Sequence, residues 1–255
     1  MDDNSKLTDS AGVPWEGRSF SANPFEGDDG SANPALLEAI TNFKTGLVSA
    51  SDVVEAFSNA RLLVPLVANL GESEVGEHDL KIDKSAELSI VTVQAPDGQP
   101  ALPVFSSVEA MSIWNPNARP VPNNARAIAL AAASEGNTRI VLDPLSPTEF
   151  VIRRPAIAAI AQALTWESPE GNIQVQNLVL SLLERYEVVD SFSLASGDPQ
   201  HNLSGQELII EIYLQPGLSE ELLAEFEKSF FSQLSTSQVF IDLVDSVAVK
   251  FLPAS

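Results

Sequence analysis

Glu207-Leu208-Ile209-Ile210-Glu211-Ile212-Tyr213-Leu214 puts Leu208, Ile210, Ile212 and Leu214 on one side of an extended chain and the carboxylates Glu207 and Glu211 on the other. A period of two is the pattern of a strand buried on one face. Downstream, Ser219 followed by Glu220 and Glu221 predicts a helix start, because a hydroxyl accepts from an orphan amide and carboxylates favour the positive end of the helix dipole. Leu222, Leu223, Phe226, Phe230 and Leu234 then recur at helical spacing as its buried stripe. Upstream, Val175, Leu178, Val179, Leu182, Leu183 and Tyr186 mark one face of another helix, and residues 188–195 read as a strand. Apolar runs at 239–243 and 247–251 predict two further strands. The order α-β-β-α-β-β over residues 172–255 implies a small sheet with two helices on one face.

Glu167-Ser168-Pro169-Glu170-Gly171 has linker composition and separates this unit from a longer one at 34–166. There, Asn33 and Pro34 predict the cap and first position of a helix over 35–44, and the Asp52/Glu55 spacing predicts a second helix running to residue 60. Residues 62–68 read as a strand, which Pro65 pushes to a sheet edge because it has no amide to donate. Residues 71–84 are polar and read as a loop. Pro96-Asp97-Gly98 predicts a hairpin between 88–94 and 101–105, and Ser106 with Glu109 predicts a short helix burying Val108, Met111 and Trp114. Three prolines between 115 and 122 exclude helix and central strand. An alanine-rich helix over 124–135, short strands at 138–142 and 150–152, and a helix over 156–164 opened by Pro155 complete an α+β domain.

The expected fold is therefore α+β: two mixed domains, 34–166 and 172–255, whose small sheets are flanked by helices, behind an acidic N-terminal tail at 1–33. The tail is rich in Asp, Ser, Gly, Asn and Pro without apolar periodicity, which predicts mobility. Trp15, Phe20 and Phe25 interrupt it as isolated aromatics and are its candidate docking residues. A length of 255 residues suits two domains, and 44% hydrophobic residues suffice for real cores.

The absence of cysteine excludes disulfides, thiolate metal sites and a cysteine nucleophile, and it fits a reducing cytoplasm. No leader-like or membrane-spanning run is visible, so neither secretion nor insertion is expected. The net charge of −21 is concentrated at the C-terminal end, where residues 167–255 hold 14 acidic and 3 basic side chains. Such a field repels nucleic acid and anionic membranes and favours a basic protein partner.

Motifs that cradle phosphate or dinucleotides, the zinc-protease helix and the serine-hydrolase elbow are all absent, and no cofactor site is predicted. His78 and His201 fall in predicted loops without a nucleophile motif beside them, and read as exposed. The run Glu72, Glu74, Glu77, His78 and Asp79 lacks calcium-loop spacing and reads as a solvated loop, so no metal site is assigned. Asp143 before Pro144 is expected to accept backbone hydrogen bonds in a turn. One concentration departs from the acidic background: Arg119, Arg126, Arg139, Arg153 and Arg154 supply five of the 14 basic residues. Arg119, Arg126, Arg153 and Arg154 lie near predicted helix starts and are the candidate anion- or partner-binding residues. The competing reading pairs them internally with the chain's own acids.

Ala101-Leu102-Pro103-Val104-Phe105-Ser106-Ser107-Val108-Glu109-Ala110, then Trp114, Ala118-Arg119-Pro120-Val121-Pro122, and Leu142-Asp143-Pro144 ahead of Phe150-Val151-Ile152 resemble the SseB protein family, in its actinobacterial-looking members. The likeness covers residues 60–164 and extends to Pro14-Trp15-Glu16-Gly17-Arg18 and residues 24–31. The C-terminal third is similar in kind to that family's second domain. The resemblance implies a two-domain plan and, since the family takes its name from a serine-sensitivity phenotype rather than a reaction, no catalytic chemistry. The chain lacks the long apolar helices of the secretion translocator that shares the label. Together these features predict a non-enzymatic interaction or regulatory protein; the alternative is a binding module for a small anionic metabolite linked to amino-acid metabolism.

Overall fold

Asn33 accepts hydrogen bonds from the amides of Ala35 and Leu36, and Pro34 fills the first helical position, so α1 (Pro34–Lys44) begins where its cap predicts. The computed structural model describes residues 25–69 and 87–254. Helix α2 (Ala50–Ser58) starts earlier than expected. Ser49 is the cap and Asp52 the third residue of a closed capping box, with the Asp52 carboxylate accepting from Ser49 N at 2.7 Å.

The strand containing Pro65 is central, not an edge. β1 (Arg61–Asn69) lies between β2 (Glu87–Ile90) and β5 (Arg119–Asn124), antiparallel to both. The register explains the tolerance. Leu63 exchanges both backbone hydrogen bonds with Phe105, so odd-numbered residues of β1 point away from β5. Pro65 falls in the gap between that bridge and the β2 ladder, which begins at Leu66, and no partner asks for its missing amide. Across the ladder, Pro120 and Pro122 sit opposite Pro65 and Leu63, so their missing amides face the open side of β5 and blunt that edge.

A second sheet has the order β3 (Val93–Gln94), β4 (Pro100–Val104), β6 (Arg139–Leu142), β7 (Phe150–Arg153). The Pro96-Asp97-Gly98 hairpin forms, but only β3 pairs with β4; residues 87–90 of the expected arm join β1 instead. The crossover from β4 to β6 carries α3 (Val108–Trp114), β5 and α4 (Ala125–Ser134). Ser107, not Ser106, caps α3, and of its three expected core residues only Met111 is fully buried. After β7, α5 (Arg154–Gln162) packs beside α4, and Leu36, Phe57, Ile128, Phe150, Ile152 and Trp166 share one core with the helical face of both sheets.

The acidic segment ahead of α1 is docked from Asp28 onward. Asp28 pairs with Arg61 at 2.7 Å, and Gly30 O accepts from Val108 N at 2.9 Å. Trp15 and Phe20 lie outside the described residues, as do residues 71–84 with His78 and the neighbouring acids.

The C-terminal half has its own core. α6 (Ile173–Leu183), α7 (Glu220–Thr236) and α8 (Gln238–Leu243) cover one face of a sheet ordered β10 (Val247–Pro253), β9 (Leu208–Leu214), β8 (Val189–Ser196). The alternation of β9 is realised residue by residue: Leu208, Ile210, Ile212 and Leu214 are buried, and the residues between them half-buried. Residues 239–243 are helix, not strand. A short apolar run does not itself distinguish the two, and here the Ser237 hydroxyl caps Phe240 while Gln238 donates to Asp242 one turn on. No helix among the described residues is long and apolar enough to cross a membrane.

Candidate functional site

β6 and β7 are antiparallel with Arg139 directly opposite Arg153, which puts both side chains on the sheet face that the α4 and α5 helices do not cover. The C-terminal half covers that face. The connection from β8 to β9, residues 197–207, crosses it and seats Leu203 on Ala101, Val141 and Val151. His201 O accepts from Val151 N at 2.7 Å, capping the outer edge of β7. His201, expected in solvent, is buried: its ring stacks on Phe150 at 4.7 Å and meets Phe43 and Trp166 edge-on.

Asp198 organises this connection. Its carboxylate accepts from the amides of Asn202, Leu203 and Ser204, from the Ser204 hydroxyl, and from Arg153 Nη2 at 2.6 Å. Burial pushes the Asp198 carboxyl up, but the hydrogen bonds from Arg153, Ser204 and the amides outweigh it and hold it below the ordinary carboxylate value. At the neck of the loop the backbones of Gly197 and Gly205 close so tightly that a Cβ on Gly205 would meet Gly197 O at 2.3 Å. Burial also lowers the His201 pKa, only partly offset by the nearby Asp198 charge, so the ring sits there neutral.

Asp245, just before β10, closes the cluster. It accepts from Arg139 at 2.8 Å and from Arg153 at 3.4 Å, and Arg139 also pairs with Asp97 of the β3–β4 turn at 3.0 Å. Arg154 Nη2 donates to the carbonyls of Ile241 and Val244 at 2.6 and 2.8 Å. Glu207 is buried beside them: Oε2 accepts from Asp245 N at 2.6 Å, and Oε1 has no partner among the described residues. Burial first, and then the Asp245 charge, push its pKa up to about 7.

Asp97, Arg139, Arg153, Arg154 and Asp245 line a cleft of about 480 Å³ between the halves, and Asp198, His201 and Glu207 lie behind its wall. Its arginines are largely spent. Arg139 and the terminal nitrogens of Arg153 each face a carboxylate, hydroxyl or carbonyl of the chain itself. The chemistry available is that of a charge-matched fastening between two halves. The four sequence-predicted arginines do not converge. Arg153 and Arg154 meet here, joined by Arg139. Arg119 is exposed on β5, and Arg126, in the first turn of α4, bonds Ala161 O at 3.1 Å and lines a different hollow. Phe25 begins a turn in which its carbonyl accepts from Asp28 N at 3.1 Å. Asp143, expected to accept backbone amides in its own turn, is wholly buried and accepts instead from Ser106 N and Oγ across the fold and from the Thr148 hydroxyl within the turn, each at 2.7 Å.

Sequence reasoning missed Asp198, Glu207 and Asp245 and placed His201 in solvent. The available signal was the length of 197–207, an eleven-residue polar connection flanked by glycines where a tight turn would join the strands. No group of three or more metal-ligating side chains occurs among the described residues.

The fold and the cleft define a class: an α+β protein whose first half offers two sheets backed by helices and whose second half docks on the free sheet face through a polar loop. The family description "SseB protein N-terminal domain" matches residues 35–159, so the first half of the chain is an SseB-type N-terminal domain. The match spans α1 to α5 and so includes Arg139 and Arg153, whereas Asp198, Glu207 and Asp245 lie beyond it. No curated protein and no solved structure matches the chain.

Proposed function

We propose that this chain is a non-enzymatic protein-interaction or regulatory protein of the cytoplasm, and that it docks a partner through the loop between β6 and β7. Leu145 carries this reading. It is 78% exposed and adopts φ 67°, a conformation that costs a leucine roughly 1–2 kcal/mol. The loop fixes it there. Asp143 anchors one side through Ser106 and Thr148, the Glu149 carboxylate accepts from Leu145 N at 2.8 Å, and Lys44 Nζ donates to Pro147 O. Leu47, just beyond α1, is 75% exposed nearby in the chain to Lys44. An apolar side chain held in water at backbone cost is what a pre-organised anchor for a partner's socket requires. The net charge of −21 favours a basic partner. The test is quantitative copurification from source cells with wild type and L145D. Loss of a wild-type partner from L145D, at unchanged melting temperature, is expected; identical partner recovery would reject the assignment.

A further inference from the structure

Helix α2, the first turn of α4 and the end of α5 surround a second hollow, of about 380 Å³. Ile160, Leu164 and Trp166 give it an apolar lining, and Asp52 and Glu55 from α2 and Arg126 from α4 give it charge. Arg126 Nε is fixed on Ala161 O, while its two terminal nitrogens make no hydrogen bond or ion pair among the described residues. The Glu55 carboxylate makes none either, whereas Asp52 is engaged by Ser49. Arg126 and Glu55 therefore share one hollow without pairing. Trp166, 9% exposed and part of the main core, contributes to the wall, and its indole Nε1 is buried without a partner among the described residues. The wall is built at some cost: Ala163 ends α5 at φ 57°, where glycine is usual, in a paired turn with Ala163 N on Ile160 O and Leu164 N on Ala159 O.

We propose that this hollow binds a small zwitterion with an apolar body, its carboxylate on the Arg126 fork and its ammonium group at Glu55. A simple anion would meet Asp52 and Glu55, and a simple cation would meet Arg126; a molecule carrying both charges satisfies both sides. The volume falls in the small-ligand range of roughly 300–1,000 Å³, and Ile160, Leu164 and Trp166 accommodate an apolar body carried beside the charged groups.

Free leucine is the probe, with leucinamide, which lacks the carboxylate, and N-acetylleucine, which lacks the ammonium, as controls. Binding is read from the indole N–H resonance of Trp166 in the full chain. Leucine should shift that signal saturably with a Kd of about 1 mM or tighter, and both controls should bind at least about tenfold more weakly. R126Q should lose leucine binding by a similar factor, R126K should retain part of it, and E55Q should bring leucine down to the level of N-acetylleucine. No saturable shift, equal binding of either control, or undiminished leucine binding by R126Q would each overturn the proposal. Arg126 and Glu55 are both on the surface, and melting curves of R126Q and E55Q separate a lost site from a lost fold.

Discussion

Arg153 Nη2 lies 2.6 Å from Asp198 Oδ2 with side chains only 3% and 2% exposed, and this pair ties the last strand of the first half to the loop that enters from the second. A buried pair is costly to desolvate and costlier to break, because removing one partner strands the other. Asp198 also holds the amides of three following residues, so its loss releases the loop as well. D198N is expected to cost on the order of 3–5 kcal/mol in urea unfolding, and R153M a similar amount. The double variant should cost clearly less than the sum of the two; additive losses would show that the residues do not act as a pair.

Glu207 makes stability depend on pH. Its folded pKa, about 7, lies above the reference value of 4.5, so the native state binds the proton more tightly than the unfolded chain. The stability it contributes is complete below 4.5 and is lost as pH rises through 7, by about 3 kcal/mol in all. His201 acts in the opposite sense: its pKa lies below 6.5 in the fold, so its contribution is present above 6.5 and lost as pH falls below it. E207Q should be more stable than wild type above about pH 7 and leave the acid-side loss due to His201 exposed. Denaturation midpoints measured from about pH 5 to 8 decide it, and parallel curves for E207Q and wild type would remove Glu207 from the account.

Much of this architecture was legible because local signals were strong. Asn33 with Pro34, the alternation from Leu208 to Leu214, and the Phe226–Phe230–Leu234 stripe each have one physical solution. The failures have distinct causes. Pro65 was misread because its cost depends on whether a partner needs its amide, and only the register shows that none does. Residues 239–243 were misread because four apolar residues in a stretch of five fit a strand or a helix equally well until Ser237 caps them. The cleft was half legible. The arginine cluster stood out against an acidic chain, but its partners Asp198 and Asp245 are 45 and 92 residues beyond Arg153, and composition carries no information about such pairs.

Strain at Leu145 predicts a gain from an apparently severe substitution. The residue sits at φ 67° and 78% exposed, so glycine there removes the backbone penalty while sacrificing little burial. L145G should raise stability by about 0.5–1 kcal/mol while weakening partner recovery, the trade expected where a fold spends stability on a binding element. A destabilised L145G would mean that the leucine is packed more usefully in solution than its exposure implies.

The two halves are expected to differ in how they survive separation. Val175, Val179, Leu182, Ile210, Ile212, Phe226 and Phe230 form a core to which residues 34–166 contribute nothing, so residues 172–255 have what an independent unit needs. Expressed alone, that fragment should unfold cooperatively. It should nevertheless be less stable than the same region in the full chain, since Asp198 and Asp245 lose Arg139 and Arg153, and His201 loses Phe150, Phe43 and Trp166. Hydrogen exchange locates the deficit: amides of 202–204 should lose protection while those of β9 keep it. Adding residues 25–166 in trans should restore the loop amides if the fastening assembles from separate chains. A fragment without a cooperative transition would mean instead that the docked loop is part of the folding unit itself, and that the second half is held in shape by the first.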